Sequence, residues 1–582
     1  MARRIMVVDK SKCNPEGCGG YLCMRVSPSN RAGKEAIVKD TDGKVKVNEN
    51  VITDADKIAA NKCPFGALKM IKLPEVLDED PIHRYLPNGF SLFRLPIPMF
   101  EKVVGLVGRN GIGKSTTLNI LGGVLKPNFG KDKEVDIDEL IQKFKGTEAQ
   151  IFFEKLREGD VKIALKPQQV DLIPKKFNGS VKKLLESVDE KGELLSVCKD
   201  LNIDKVLDRD VKDVSGGELQ RIAIAATYLK KANLYLFDEP TSYLDIKQRV
   251  VVSKFIKKLA QKDVAVMVIE HDLIILDYMT ELIHVVYGEE GGFGVSSMPK
   301  TTKNGINAYL EGFLKEENMR FRSDSIVFEK GVIVESEEKE LLVEWEGVSH
   351  ELGDFKLNIG GGEIYKKDIV GVLGENGIGK STFAKVIAGE IDLGINTEDL
   401  KISYKPQYLH KSDELVMLYL KEALKYDAQI ISPLNIKPLM RKTLNQLSGG
   451  ELQRVAIAKC LAQDADLYVL DEPSAYLDVE QRLKLSKTIK NWMNEREKSA
   501  LVIDHDLLFM DYISNKLLVF DGVPAVEGVS KGPFEMEVGM NKFLKNLDIT
   551  FRRDEQTNRP RINKPGSQKD KEQRSQDKYY YV

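Results

Sequence analysis

The chain has no apolar run approaching the roughly 18–20 residues that a bilayer-spanning helix needs, so no transmembrane segment is expected. Its opening, "MARRIMVVDKSK", lacks the apolar core of a secretory signal. The expectation is therefore a cytoplasmic protein, in a compartment where disulfides are rare. An excess of charge of one sign is lacking too. Lys and Arg number 87 against 89 Asp and Glu, and a net charge of −2 gives no global pull toward nucleic acid. Any such contact falls to local basic patches. Cysteine is sparse, with six residues, which are thiols or metal ligands rather than a disulfide framework. What is present, 42% hydrophobic and 30% charged residues over 582 positions, describes a globular protein too long for one core. Three or more domains follow.

The chain repeats itself. "GLVGRNGIGKSTTLNILGG" (105–123) returns as "GVLGENGIGKSTFAKVIAG" (371–389), and "VSGGELQRIAIA" (214–225) as "LSGGELQRVAIA" (447–458). "LYLFDEPTSYLD" (234–245) returns as "LYVLDEPSAYLD" (467–478), and "VIEHDL" (268–273) as "VIDHDL" (502–507). Two copies of one α/β unit stand in tandem. A fainter repeat follows each: a Gly at 294 or 528, then a GIN or GMN Gly eleven positions later, at 305 or 539. These read as paired connectors packed on the larger units. The first copy carries a surplus between its loop Lys and its KPQ Gln, 54 positions against 27. Within it, Ile137, Leu140, Ile141 and Phe144, then Ala149, Phe152, Phe153 and Leu156, follow helical spacing around Gly146, with Thr147 and Gln150 as a capping box. The surplus reads as a helix-loop-helix insert at about 131–160, either a tolerated surface insertion or a docking element.

Each copy places G-x-x-x-x-G-K-[ST] between an apolar strand-like run and a helical pattern, the context of a phosphate-binding loop. Gly108, Asn110, Gly111, Gly113, Lys114, Ser115 and Thr116 make the first loop, and Gly374, Asn376, Gly377, Gly379, Lys380, Ser381 and Thr382 the second. The backbone N–H groups and the helix start suit phosphate. Lys114 and Lys380 are placed for the β- and γ-phosphates, Ser115 and Ser381 for Mg²⁺. Asp238 and Asp471 end apolar runs and are candidate metal holders; Glu239 and Glu472, one residue on, are candidate general bases. His271 and His505 follow apolar strands at matching positions, as candidates to bridge γ-phosphate and water. Gln168 and Gln407 are candidate metal and water sensors.

Walker A, KPQ, SGGELQ, DEP, YLD and EHD/DHD in this order resemble ATP-binding-cassette ATPases. The resemblance implies a head-to-tail cassette pair in which Ser215, Gly216 and Gly217 complete the nucleotide site of the second copy, and Ser448, Gly449 and Gly450 that of the first. Val214 departs from the usual Leu conservatively. It also implies an aromatic residue under adenine about 25 positions before the loop Lys: Phe355 in the second copy, Tyr85 or Phe90 in the first.

Near the N-terminus, "KCNPEGCGGYLCMRVSP" holds Cys13, Cys18 and Cys23. Two-cluster ferredoxins use two Cys-Pro runs, the fourth Cys of each serving the other's cluster. A second run ends at Cys63-Pro64; counting back gives Ala59, Asp56 and Thr53, and the fourth place of the first run is Ser27. The four losses empty one cluster and the four survivors, Cys13, Cys18, Cys23 and Cys63, make the other. The pattern suggests one [4Fe–4S] cluster of two, while a Cys₄ set also suits zinc or plain thiols. Cys198 and Cys460 are expected to be buried apolar residues.

A ferredoxin-like start, twin cassettes, an insert in the first and connectors after each, with "HRYLPNGFSLFRLPIP", "NGIN" and "ITFRRDEQTNRPRINK", resemble subfamily E of the ABC proteins, the ribosome-recycling or RNase L inhibitor family of archaea and eukaryotes. Its members carry two clusters, so the vacated site is a departure. The resemblance implies an α/β fold of tandem cassettes with a small α+β ferredoxin-like domain. It divides into 1–73, 74–293, a first hinge at 294–330, 331–527, and a second hinge and tail at 528–582. It implies ATP-driven splitting of post-termination ribosomes with a release factor or Pelota, ending on the small subunit, and rRNA contacts through hinges and insert. Arg552, Arg553, Arg559, Arg561 and Lys564 are candidate phosphate contacts, and the last residues, from Gly566, read as a flexible tail. Rival readings are a soluble transporter ATPase, a DNA-associated ATPase and a non-catalytic scaffold.

Overall fold

The computed structural model describes residues 4–73, 79–131, 133–326, 328, 340–395, 397 and 400–580. The expected boundaries at 73/74 and 330/331 touch residues outside these. In the N-terminal unit, strand Arg4–Val8 pairs antiparallel with Leu68–Lys72, joining its two ends. A hairpin, Ile37–Lys39 with Val45–Val47, and short helices Leu22–Val26, Pro28–Arg31 and Lys57–Lys62 complete it. Met6, Val8, Ile37, Val45, Ile52, Ala59 and Leu68 form its core together with Cys13 and Cys23.

Each cassette is built on a mostly parallel sheet. In the first, Ile163–Lys166, Leu234–Asp238, Ala265–Ile269, Val103–Val107 and Leu282–Glu289 lie side by side in that order. The second repeats the order with Ile402–Lys405, Leu467–Asp471, Ser499–Ile503, Ile369–Leu373 and Lys516–Val523. Helices cover both faces of such strands, which is why "LYLFD" and "LYVLD" read as unbroken apolar runs and every residue in them is buried. Carboxylates at these strand ends therefore line the crevice where ligands bind in open α/β sheets.

The insert is a helix pair, Ile137–Lys143 and Glu148–Glu158, with Leu140, Ala149, Phe152 and Phe153 buried. Its capping differs from expectation. Thr147 Oγ1 donates to the Phe144 carbonyl, 2.7 Å away, and Gln150 Oε1 accepts from Gly146 N, so the capping box at Thr147 does not form. Asp136 and Glu139 form one at the first helix instead.

The connector repeat has a steric reason. Helix Thr302–Glu311 packs so closely on its sheet that a Cβ on Gly305 would lie 2.4 Å from Ile283, and one on Gly539, in helix Met536–Asn546, 2.6 Å from Leu517. Strands Phe293–Ser296 and Glu527–Glu535, which precede these helices, belong to the two cassette sheets.

The C-terminal region departs from the expected flexible tail. Hairpin Phe551–Arg553 with Pro560–Ile562 is followed by helix Gln568–Ser575, and Tyr580 is buried. Three of its candidate arginines are engaged within the protein rather than free for phosphate. Arg559, fully buried, donates to Asp277 at 2.8 Å, and Arg561 reaches the same carboxylate at 2.6 and 3.0 Å. Arg553 pairs with Asp511 and Tyr580. Arg552 is half-buried, and Lys564 alone of the five is exposed. Cys198 and Cys460 are buried as expected.

Candidate nucleotide and iron–sulfur sites

The two phosphate loops have the same geometry. Strand Val103–Val107 leads to Gly111 (φ 71°) and Gly113 (φ 92°), then helix Lys114–Leu121; Gly377 (φ 71°) and Gly379 (φ 97°) precede Lys380–Ile387. These left-handed positions suit glycine, and a Cβ on Gly113 would meet Phe90 at 2.7 Å. Lys114 Nζ donates to the carbonyls of Gly108 and Arg109, 2.8 and 2.5 Å away, and Lys380 Nζ to those of Gly374 and Glu375, at 2.9 and 2.6 Å. Burial lowers the pKa of both lysines, Lys380 to about 8.

Opposite each loop stands the acidic strand end. Burial raises Asp238 and Asp471 above the usual carboxylate range, against the pull of Ser115 and Ser381 beside them. Asp238 Oδ1 and both carboxylate oxygens of Asp471 are buried without a hydrogen-bond partner among the described residues. Orphaned carboxylate oxygens beside a Ser hydroxyl fit a hard, oxygen-seeking cation such as Mg²⁺.

Glu239 and Glu472 both adopt φ 46°, a strained left-handed turn that aims the carboxylates into the crevice. Gln168 Nε2 donates to Glu239 at 2.8 Å and His271 Nε2 lies 3.4 Å from it; Gln407 and His505 do the same for Glu472, at 2.8 and 3.5 Å. Burial alone would raise these carboxyls, but the neighbouring His, the loop lysine and the Gln together outweigh it, and Glu472 is held at about 2. Both carboxylates are thus ionised at neutral pH.

Sequence reasoning missed three supports. Lys166 and Lys405, the Lys of each KPQ, are buried and donate to the carbonyls of Asp238 and Asp471, at 2.9 and 2.6 Å. Gln220 and Gln453, the Gln of each SGGELQ, donate to the carbonyls of Glu239 and Glu472, at 2.6 and 2.5 Å. Glu270 and Asp504, the acids before each His, accept from Thr241 and Ser474 and from the amides of His271 and His505, so they hold the His turn. Their repetition at equivalent positions was the available signal.

Ser215 and Ser448 cap helices Gly216–Tyr228 and Gly449–Leu461 in boxes with Glu218 and Glu451. Gly450 leaves no room for a side chain, since a Cβ there would lie 2.8 Å from the Tyr476 carbonyl, and one on Gly217 would make a tight 3.2 Å contact with that of Tyr243. The structure joins the cassettes reciprocally. Asn110 N, in the first phosphate loop, donates to Asp478 at 3.1 Å, and Asn376 N, in the second, to Asp245 at 3.0 Å. Around these bonds lie charge-swapped pairs at equivalent positions, Arg109 with Glu480 (3.5 Å) and Glu375 with Lys247 (2.8 Å). Phe90 and Phe355 stand equivalently behind Gly113 and Gly379, and the exposed Tyr85 places its hydroxyl 3.3 Å from that of Thr116.

In the N-terminal unit, Cys13, Cys18, Cys23 and Cys63 line one small cavity with Tyr21, Val45, Phe65 and Leu68. Burial, together with the three other thiols, raises Cys23 to about 11, and Ala67 N donates to Cys63 Sγ at 3.4 Å. Among the described residues no three His, Cys, Asp or Glu side chains converge as they would on a single metal ion. Four thiols around one apolar cavity are a donor set that suits an iron–sulfur cluster or zinc. The vacated positions Ser27, Thr53 and Asp56 offer no thiolate and are hydrogen-bonded to one another, so they do not fit a second cluster. The unit rests on the first cassette through Lys69–Glu289 and Arg84–Glu49, and Arg441 of the second donates to the Pro64 carbonyl at 3.2 Å.

The chain matches the ABC transporter family over residues 99–242 and 360–475. It is 42% identical to "ABC transporter E family member 1" of Arabidopsis thaliana, over 100% of this chain and 99% of that protein. The chain belongs to the E family of ABC proteins. Two archaeal structures are similar. One is a ribosome recycling factor of this family in complex with the ribosomal stalk protein aP1, at 48% identity and TM-score 0.83 over 87% of this chain and 100% of that one. The other is ribosome-bound Pelota and ABCE1, at 48% identity and TM-score 0.93 over 100% of both chains. With both cassettes intact, this E-family member is a twin-cassette ATPase converting ATP and water to ADP and phosphate. No helix among the described residues is long and apolar enough to cross a membrane.

Proposed function

We propose that this protein is an ATP-driven ribosome recycling factor. It splits post-termination ribosomes into subunits together with a release factor or Pelota and then stays on the small subunit. The reading is carried by a likeness that runs through the whole chain, hinges and N-terminal unit included, to a protein bound to the ribosome, and over 87% of it to one bound to the ribosomal stalk. A transporter or DNA-acting ATPase would share the cassettes alone. The division expected from sequence, 1–73, 74–293, 294–330, 331–527 and 528–582, and a cytoplasmic location belong to the same reading.

In each site the loop amides and Lys114 or Lys380 bind the phosphates, with Tyr85, Phe90 and Phe355 as the aromatic candidates for adenine. Ser115, Asp238 and Gln168, and Ser381, Asp471 and Gln407, would hold Mg²⁺, which when bound offsets phosphate charge. Glu239 and Glu472, ionised and fixed by Gln and His, polarise the attacking water. Ser215, Gly216 and Gly217, and Ser448, Gly449 and Gly450, close on the γ-phosphate of the opposite site. Asp245 and Asp478 bring the cassettes together on the opposite loops. Hydrolysis removes the shared γ-phosphate and lets them part. Cys13, Cys18, Cys23 and Cys63 would hold one [4Fe–4S] cluster, whose chemistry here is a rigid cross-link rather than electron transfer. Arg441 links the second cassette to the chain beside Cys63, so cassette movement reaches this unit.

The test mixes purified protein, ATP and a release factor with post-termination ribosomes and follows subunits on a density gradient. ATP-dependent splitting is expected; intact ribosomes beside normal ATP turnover would overturn the reading.

A further inference from the structure

Three of the four positions vacated by cysteine, Ser27, Thr53 and Asp56, come together around one carboxylate. Asp56 is fully buried. Ser27 Oγ donates to its Oδ1 at 2.5 Å, and Ser29 N does so at 3.0 Å. Ser29 Oγ, Thr53 N and Thr53 Oγ1 donate to its Oδ2 at 2.5, 2.9 and 3.0 Å. Five donors occupy the acceptor capacity of a carboxylate, about four lone-pair sites, and leave none for a metal. The fourth position, Ala59, is fully buried in the apolar core. Burial alone would raise the Asp56 carboxyl, but the hydroxyls of Ser27 and Ser29 and the amides of Thr53 and Ser29 hold it at about 2.

The same contacts order two helix starts. Ser27 caps helix Pro28–Arg31, with Asn30 N donating to its Oγ at 3.2 Å, while Thr53 and Asp56 form a capping box before helix Lys57–Lys62. A cluster at these positions would tie segment 27–29 to segment 53–59 through iron. Here the carboxylate ties the same segments through charge-assisted hydrogen bonds, the stronger class of such bonds.

We infer that Asp56, with Ser27, Ser29 and Thr53, is a metal-independent staple standing in place of a second iron–sulfur cluster, so that the protein has a single iron–sulfur cluster, at Cys13, Cys18, Cys23 and Cys63. The staple forms with the fold itself, needs no cluster assembly, and is indifferent to oxidants and chelators. Only the iron count rests on the proposed cluster reading; the hydrogen-bonded staple stands without it.

The test uses the full-length protein, purified without oxygen, as wild type and as Asp56→Asn. Iron and acid-labile sulfide are expected at about four each per chain, for one cluster; about eight of each would overturn the inference. Asn puts a donor where donors already converge. Hydrogen exchange at the Ser29 and Thr53 amides should therefore accelerate by about 10–100-fold, from loss of bonds to a charged group, while iron content stays at the wild-type level. Unchanged exchange would overturn the staple. Should Asp56→Asn fail to fold, Ser27→Ala removes one donor and should accelerate the Ser29 amide about 10-fold, with no change counting against the inference. Zinc without sulfide, together with the accelerated exchange, would overturn the cluster at the cysteines and leave the staple standing.

Discussion

The C-terminal hairpin is anchored to the first cassette by a carboxylate that serves two arginines, and removing it has a calculable effect. Asp277 lies in helix Leu273–Met279, its side chain 5% exposed, against Arg559 at 0% and Arg561 at 13%. In Asp277→Ala both guanidinium groups stay where they are, within a buried site and without their shared counter-ion. Breaking a buried pair from one side costs about 3–5 kcal/mol. Arg561 keeps Asp554 at 3.3 Å, whereas Arg559 is left as an uncompensated buried charge whose Nε and Nη2 already have no partner among the described residues. Other contacts persist: Asn307 donates to Asp554 and Gln556 at 3.2 and 2.8 Å, and Phe551 and Ile562 are buried. The expected result is local undocking of the hairpin rather than global unfolding. Hydrogen exchange at the Asp554 amide, which donates to the Arg559 carbonyl at 2.8 Å, should rise by about two to four orders of magnitude, the equivalent of about 3–5 kcal/mol. ATP binding should persist while ribosome splitting falls. The triple change Asp277→Leu, Arg559→Met, Arg561→Met should recover most of the docking, because apolar replacement of a whole buried ion cluster is often neutral. Unaltered exchange in Asp277→Ala, or a triple variant as loose as the single one, would refute the reasoning.

Replacing Glu239 and Glu472 together by Gln should slow ATP turnover by about 10²–10⁴-fold while filter binding still detects trapped ATP; normal turnover would remove both from the base role. Reversing one member of an interface pair, as in Arg109→Glu or Glu480→Arg, should lower nucleotide occlusion severalfold and more so at low salt, and the double exchange should restore it. A double variant no better than the singles would count against the pairing. The folded pKa of Glu472, about 2 against 4.5 in an open chain, means the stability it contributes is complete above pH 4.5 and is lost as pH falls toward 2. Acid unfolding curves of wild type and Glu472→Gln should therefore differ in that window and run parallel above it. ATP turnover should likewise show no titration of this base between pH 5 and 8.

Much of the fold was legible because the duplication doubled each signal. Buried parallel strands show as "LYLFD" and "LYVLD", and phosphate loops need glycine at left-handed positions, which leaves a mark at 111, 113, 377 and 379. The insert's two apolar stripes were readable for the same reason, whereas its cap was not. Thr147 and Gln150 match the box pattern, and only the path of the chain at Gly146, whose amide donates to Gln150 Oε1, shows that the box does not close. The C-terminal arginines misled because an Arg-rich segment looks alike whether it meets phosphate or a buried aspartate. Asp277 lies 282 positions before Arg559, a pairing that no local pattern encodes.

Taken alone, the residues determined which Lys, Asp, Glu, Gln and His stand together in each half-site, since local spacing on strands and loops places them. They also determined that four thiols remain where eight would serve two clusters. Tertiary structure decided what those pieces face. Asp245 and Asp478 reach the opposite phosphate loops because two sheets of equal topology meet head to tail. Asp56, an unremarkable surface residue by type, becomes a fully buried anchor because segments 27–29 and 53–56 converge on it. Such long-range pairings depend on packing and on the need to satisfy every buried polar group, neither of which is written in neighbouring positions of the chain.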